Sequence, residues 1–161
     1  MTAADANWLD DDQQRAWRGL VVGTTLLFDR LDADLQREFG ISITEYEIMV
    51  RLSESAERRM RMSHLALSVA HSRSRVTHTI ARMQRSGLVQ RCDADEDGRG
   101  VFAMLTDRGY QLLTEAAHLH VQGVRDGLVD IASPEDLAAL GRVMNAVADR
   151  HIGGRPEVDI R

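Results

Sequence analysis

The fold is decided by residues 58–92, which read RRMRMSHLALSVAHSRSRVTHTIARMQRSGLVQRC. This stretch contains eight arginines, three histidines and no acidic residue, within a chain of 161 residues that has 20 basic and 25 acidic side chains. Because the net charge of the whole chain is −5, the +8 of this stretch leaves −13 for the rest. Clustered arginines displace counterions from phosphates, so DNA is the first partner that this pattern indicates. A solvated charged surface is the alternative.

The apolar residues of the same stretch have the spacing of two short, packed helices. Ser63 can cap the first helix, a turn follows at Ala70-His71, and the hydroxyl of Ser72 can cap the second. Gly87 then ends the second helix. The predicted buried residues are Leu65, Ala66, Val69, Val76, Ile80 and Met83. Polar and basic residues cover the other faces of the second helix, which is the pattern of a helix-turn-helix.

A predicted β-hairpin follows the second helix directly. Leu88–Cys92 and Val101–Leu105 have the composition of strands, and Asp93–Gly100 is a polar turn with two glycines. A hairpin in this position is the wing of a winged helix. Arg99 at its tip is long enough to enter a minor groove, and Asp97 can hold the Arg99 guanidinium through two hydrogen bonds.

Four segments of this region together resemble the sequence pattern of the MarR family, the multiple-antibiotic-resistance-type regulators. They are residues 72–77 (SRSRVT), 83–89 (MQRSGLV), 97–99 (DGR) and 105–109 (LTDRG), within a similarity that covers residues 44–113. The resemblance implies a homodimeric transcription regulator that binds a pseudo-palindromic double-stranded DNA operator. Such a regulator is usually a repressor and is often released from DNA by a small molecule or an oxidant.

The resemblance also implies which side chains contact DNA. The implied contacts to base edges are Ser74, Thr77 and His78. The implied contacts to phosphates are Ser72, Arg73, Arg75 and Arg82, and the implied minor-groove contact is Arg99, oriented by Asp97. The chain departs from the family pattern at three positions. Ala70 stands where a glycine is common, His71 where an aliphatic residue is common, and His78 where the family often has an arginine. Because His78 is an implied base contact, its departure leaves the operator sequence open.

Long amphipathic helices are predicted on both sides of this region. Residues 13–39 form the first, with apolar residues at near-heptad spacing. Residues 106–150 contain two more, one capped by Thr106 and running to Ile131, the other opening at Ser133-Pro134. The region between these helices can bury a core by itself. The terminal helices therefore keep apolar stripes, which mutual burial in a two-fold dimer would cover.

The predicted fold class is mainly α with a small β-hairpin wing, in a single domain of residues 1–161. The DNA-binding lobe spans residues 44–105 and opens with a capping box of Thr44 and Glu47. Residues 54–61 are expected to form a polar loop, and residues 151–161 a mobile tail.

Several other classes of protein are disfavoured by the composition. No apolar run approaches the length of a membrane span, and the acidic N-terminus lacks the features of a secretory signal. The single cysteine, Cys92, fits a reducing cytoplasm. No phosphate loop or nucleophile elbow is present, so we expect neither an enzyme nor a cofactor. His118 and His120 point in different directions on a helix, so no metal site is predicted.

The family resemblance implies a small aromatic or anionic effector, held between the dimer helices and the DNA-binding lobe. Trp17, Arg18, Tyr46 and His64 are the candidate ligand-binding residues. The alternative for each is structural, with Trp17 in a dimer core and Arg18 as a surface charge. From the residues alone, two other functions stay open: a protein-interaction module whose basic stretch is only solvated, and a small enzyme for an anionic substrate.

Overall fold

The structure, a computed structural model, describes residues 7–93 and 100–152. Within these residues the chain forms six α-helices and one three-stranded antiparallel sheet. The helices are α1 (Asp11–Phe39), α2 (Ile43–Glu54), α3 (Met62–Ser68), α4 (Arg73–Arg85), α5 (Asp107–Gly127) and α6 (Pro134–Ile152). The strands are β1 (Arg59–Arg61), β2 (Val89–Asp93) and β3 (Val101–Leu105), in the order β1-β3-β2. The predicted fold class is confirmed.

The start of α2 corrects one predicted cap. The Ser42 hydroxyl accepts a hydrogen bond from the Glu45 backbone N–H, and the Glu45 carboxylate accepts one from the Ser42 N–H at 2.8 Å. The predicted box of Thr44 and Glu47 is therefore wrong. Both pairs have the spacing of a capping box, so local sequence does not choose between them. A tertiary contact makes the choice, because Arg82 of α4 donates a hydrogen bond to the Glu45 carboxylate.

The predicted helix-turn-helix is formed by α3 and α4. The predicted cap of Ser63 on α3 is wrong, because α3 begins at Met62 directly after β1 and has no side-chain cap. In the turn, Ala70 adopts a left-handed backbone (φ 51°) that favours glycine. Ser72 caps α4 as predicted, since its hydroxyl accepts a hydrogen bond from the Arg75 N–H at 3.2 Å.

Gly87 ends α4 as predicted. Its left-handed backbone (φ 72°) lets the Gly87 N–H bond the Gln84 carbonyl at 3.0 Å and the Leu88 N–H bond the Met83 carbonyl at 2.9 Å. This pair of hydrogen bonds is a Schellman motif, which satisfies carbonyls at the end of a helix. It also turns the chain directly into β2.

The wing has one strand more than predicted. β2 and β3 pair as the expected hairpin, with Cys92 opposite Phe102. Arg59–Arg61 is a strand on the other edge of β3, with Met60 opposite Ala103, so the predicted polar loop is wrong at these residues. Three residues are too few to show a strand period, and the open edge of β3 supplies the pairing. The hairpin tip with Asp97 and Arg99 lies outside the described residues.

The hydrophobic core lies within this central region and includes one end of α1 and part of α5. All the apolar residues predicted to be buried in the helix-turn-helix are buried. They pack with Leu35 of α1, with α2, and with Leu113 and Ala116 of α5. The helix-turn-helix is therefore held from behind by three other helices.

The terminal helices differ from the prediction at their ends. α5 begins with Thr106 as its cap but stops at Gly127, and Val129–Ile131 form a separate 3-10 turn. α6 continues to Ile152, so only residues 153–161 of the predicted tail remain, and they lie outside the described residues.

Within one chain, large apolar surfaces of the terminal helices stay uncovered. Trp17 is 58% exposed and Leu26 is 65% exposed on α1, and Val143 is 59% exposed on α6. No residue of α6 from 134 to 151 is buried. Exposed apolar area of this extent marks an interaction surface.

Candidate nucleic-acid interface

One side of α4 faces the core and the remaining sides face solvent. Val76, Thr79, Ile80 and Met83 are buried. The implied DNA-contact residues within the described ranges are all exposed: Ser72, Arg73, Ser74, Arg75, Thr77, His78 and Arg82. The apolar side thus anchors the helix, and the structure brings the polar and basic residues together on its outer surface.

The exposed residues divide among three sides of α4. Ser74 and His78 are four residues apart, so they share the line of the helix farthest from the core. Thr77 lies on the side toward the wing. Arg75 and Arg82 lie on the opposite side, where they contact α2. The implied base contacts are therefore flanked by arginines on the side toward α2.

Arg75 is oriented by polar groups at the start of α2. Its Nη2 donates to the Thr44 hydroxyl at 3.4 Å, and the same hydroxyl lies 3.4 Å from His71 Nε2. Burial lowers the pKa of His71, and the charge of Arg75 lowers it further, so both favour the neutral imidazole. Burial raises the pKa of Glu47, while Arg51 and Arg75 act in the opposite direction.

Arg82 is held more tightly than Arg75. Its Nε donates to Glu45 Oε1 at 2.7 Å and its Nη2 donates to the Ser42 hydroxyl at 3.3 Å. The Glu45 side chain is only 8% exposed, whereas that of Arg82 is 54% exposed. The contact joins residues 37 positions apart, so the sequence carries no local signal of it.

A cavity of about 650 Å³ opens between α1, the start of α2 and α4. Asp29 and Asp32 line it from α1, and Arg75, His78 and Arg82 line it from α4. The cavity therefore has acidic groups on one wall and basic groups on the other. It separates the terminal helix α1 from the exposed surface of α4.

Arginines join the wing to α5 on one side and to α4 on the other. The Arg58 guanidinium lies 3.9 Å from the centroid of the Tyr110 ring and 3.2 Å from the Asp107 carboxylate. These contacts fix the entry to β1 against α5. On β2, Arg91 donates to the Thr77 carbonyl at 2.9 Å, which ties the wing to α4. This role of Arg91 cannot be predicted from the sequence, because only the hairpin geometry brings Arg91 to Thr77.

The four candidate ligand-binding residues occupy different surroundings. Trp17 and Arg18 are exposed on α1, and Arg18 donates to Gln14 at 3.2 Å. Tyr46 is buried in α2, and His64 is exposed on α3. None of the four lines the cavity between α1 and α4.

Tyr46 has an aromatic neighbour that lies far from it in the sequence. The ring of His120 on α5 lies 4.4 Å from the Tyr46 ring, centroid to centroid. Burial raises the pKa of Tyr46 and lowers that of His120. The His120 Nδ1 atom is buried without a hydrogen-bond partner among the described residues. His118 and His120 thus lie in unlike environments, one exposed and one partly buried.

In residues 7–93 and 100–152, no group of three or more His, Cys, Asp or Glu side chains is arranged to hold a metal ion. Cys92 is a free, half-buried thiol on β2. Over the same residues, no helix combines the length and apolarity needed to cross a membrane.

The arrangement defines a class of protein: a winged helix-turn-helix with an exposed basic helix, flanked by long helices with uncovered apolar faces. A model of the MarR family matches residues 39–100. The crystal structure of AbsC, a MarR family transcriptional regulator from Streptomyces coelicolor, is similar to this fold, with a TM-score of 0.87. The two sequences are 41% identical, and the match covers 92% of this chain and 99% of AbsC.

A second solved structure is similar to the same degree. Sco3205, a MarR family transcriptional regulator from Streptomyces coelicolor crystallised in complex with DNA, is 40% identical, with a TM-score of 0.88 over 97% of this chain and 96% of Sco3205. The HTH-type transcriptional regulator PecS of Dickeya dadantii (strain 3937) is 29% identical over 132 residues, which are 77% of this chain and 80% of PecS. This chain belongs to the MarR family and is a transcriptional regulator, not an enzyme.

Proposed function

We propose that this regulator binds a pseudo-palindromic DNA duplex as a homodimer and represses transcription from it. The observation that carries the proposal is the surface of α4, where a buried apolar side holds a helix whose other sides expose arginines, hydroxyls and His78. In a chain that is acidic overall, positive charge is thus concentrated on the exposed surface of α4. The similarity over nearly the whole chain to Sco3205, which was crystallised with DNA, supports this proposal.

The proposed dimer is supported by the uncovered apolar faces of α1 and α6. Their exposed side chains, which include Trp17, Leu26 and Val143, gain burial if two copies pack these faces together about a two-fold axis. Two copies of α4 would then meet two half-sites about one DNA turn apart, roughly 34 Å.

The proposed contacts follow the geometry of α4. Ser74, Thr77 and His78 read base edges in the major groove, while Ser72, Arg73 and Arg75 contact phosphates on either side. Arg99, oriented by Asp97, is proposed to enter the minor groove on the strength of the family resemblance. Since the target is chromosomal DNA, the proposed location of the protein is the cytoplasm.

The proposed effector is a small aromatic or anionic molecule that releases the protein from DNA. Such a ligand can act only if it binds two states of the dimer with different affinities. The two states would differ in the distance between the two copies of α4, the recognition helices. Tyr46, against His120 and between α2 and α5, is the candidate residue whose position best supports a role in this coupling. Trp17, Arg18 and His64 remain candidates, but dimer formation would have to bring them nearer to Tyr46.

The test is selection of bound sequences from a random duplex pool, followed by binding measurements at two salt concentrations. We expect enrichment of a site with two-fold symmetry. We also expect Arg73→Ala to reduce the slope of log affinity against log salt by about 0.9, because one phosphate contact is lost. Arg142→Ala, which removes an exposed arginine from α6, is the matched control and should leave the slope unchanged.

Three results would oppose the proposal. A purified protein that is monomeric, or that ignores duplexes at low salt, would favour the protein-interaction module instead. Binding without sequence enrichment would remove the reading role of Ser74, Thr77 and His78.

A further inference from the structure

A nearly buried carboxylate lies directly behind the exposed surface of α4. Glu45 Oε1 accepts a hydrogen bond from Arg82 Nε at 2.7 Å, and Glu45 Oε2 accepts hydrogen bonds from the Ser42 N–H and hydroxyl at 2.8 and 2.9 Å. The Arg82 contact joins α4 to the first turn of α2, and the two Ser42 contacts hold the Glu45 carboxylate in place within that turn. Ordered charge-assisted hydrogen bonds of this length are among the stronger ones in proteins.

A second carboxylate joins the same turn to α1. Asp32 Oδ1 accepts a hydrogen bond from the Ile43 N–H at 2.8 Å, and Asp32 Oδ2 accepts one from the Gln36 side chain at 2.6 Å. The first turn of α2 is therefore bonded to α1 on one side and to α4 on the other. The cavity between α1 and α4 is bordered by this turn.

Two acids beside a DNA-binding surface are costly on electrostatic grounds, because they repel phosphates. Glu45 also neutralises Arg82, the arginine that the family resemblance assigns to a phosphate. A paired guanidinium releases fewer counterions than an unpaired one. Both observations are explained if these groups set the position of α4 and do not themselves bind the DNA backbone.

We propose that Glu45 and Asp32 are positioning residues for DNA recognition, and that Arg82 acts through Glu45 to fix α4 relative to α1. This inference rests on the proposed function. In a dimer formed through α1, the position of α4 relative to α1 sets the distance between the two recognition helices. A change in that distance that moves α4 relative to α1 within one chain strains the Asp32–Ile43 contact or the Glu45–Arg82 contact.

The test compares Glu45→Gln, Arg82→Gln and a control, Glu54→Gln, on the duplex selected by the wild type. Glu54 is exposed at the other end of α2 and pairs with Arg51, so the control removes the same charge from the same helix without touching α4. Affinity is measured across a salt series and on duplexes whose half-sites are one base pair closer or farther apart.

For Glu45→Gln, a purely electrostatic role and a positioning role of Glu45 predict opposite changes in DNA affinity. Removing an acid near DNA should strengthen binding if charge alone matters. We expect instead a loss of affinity of at least about tenfold, because the hydrogen bond that Arg82 donates between the two helices loses its charge assistance. We also expect weaker discrimination between the three half-site spacings, which a loss of stability alone would not produce. Glu54→Gln should keep the wild-type spacing preference.

Arg82→Gln decides the role of the arginine. We expect its affinity to fall while the salt slope stays at the wild-type value. A slope smaller by about 0.9 with an unchanged spacing preference would make Arg82 a phosphate contact and overturn the proposal. If Glu45→Gln proves too unstable to purify, Arg82→Gln answers the question alone, since its side chain is half exposed.

The two proposals fail in different ways. Wild-type protein that binds no duplex removes the proposed function. Wild-type protein that binds, with Glu45→Gln equal or tighter and equally selective for spacing, removes only the positioning role.

Discussion

Replacing Gly109 with alanine tests how the wing is packed against α5. A Cβ at this position would lie 2.2 Å from the Leu88 carbonyl oxygen and 2.7 Å from Leu105 Cδ1. Cβ atoms essentially never approach other heavy atoms to less than 3.0 Å, so the start of α5 or the start of β2 must move. The movement is resisted, because the Leu88 carbonyl also accepts hydrogen bonds from the N–H and hydroxyl of Thr106 at 3.1 and 3.0 Å.

The magnitude follows from these contacts. Forcing a side chain into a packed site costs about 1–3 kcal/mol, and each of the two hydrogen bonds to Leu88 contributes about 1 kcal/mol. Alanine is the better helix former by about 1 kcal/mol, which offsets part of the loss. We therefore expect Gly109→Ala to lower the free energy of unfolding by about 2–4 kcal/mol. Helix propensity alone predicts that Gly109→Ala raises the free energy of unfolding.

Urea denaturation followed by circular dichroism, at one fixed protein concentration, measures the change. Gln111→Ala is the control, because Gln111 is exposed two residues later in the same helix and should change stability by less than about 0.5 kcal/mol. If Gly109→Ala is as stable as the wild type, α5 does not approach the Leu88 carbonyl as closely as this structure places it.

Three further predictions concern the core, the pH dependence and the dimer. Ile80 is fully buried on α4, so Ile80→Ala should lower the free energy of unfolding by about 2–5 kcal/mol in the same denaturation assay. Burial lowers the pKa of His120 below its ordinary value of 6.5, so the unfolded chain takes up the proton first as the pH falls. The wild type should thus lose stability from about pH 6.5 down to the folded-state pKa, and His120→Phe should lose less; parallel pH profiles would contradict this. Leu26 is 65% exposed on α1, and Leu26→Glu should shift the protein toward monomer in sedimentation if this face forms the dimer.

The central part of the fold could be predicted because its signals are local. Ser72 as a cap, Gly87 as a stop and Val76, Ile80 and Met83 at helical spacing each act within a few residues of their own position. The structure places all of them as expected. The same holds for β2 and β3, whose turn is short enough to make pairing the simplest outcome.

The errors occur where two local choices are equally good or where a partner is distant. Thr44 with Glu47 and Ser42 with Glu45 have identical spacing, and Arg82 of α4 decides between them. The strand β1 depends on an open edge that only folding of the hairpin provides.

By itself, the sequence determined that an acidic chain carries one basic helix with an apolar inner side, because charge density and helical period are both properties of neighbouring residues. Tertiary structure alone decided which arginines of that helix face outward and which are bonded to α2. Contacts such as Glu45–Arg82 and Asp32–Ile43 join groups that are far apart along the chain or on different helices, and their geometry exists only once α1, α2 and α4 are packed. That packing makes the difference between a cation available to DNA and a cation already paired with an acid.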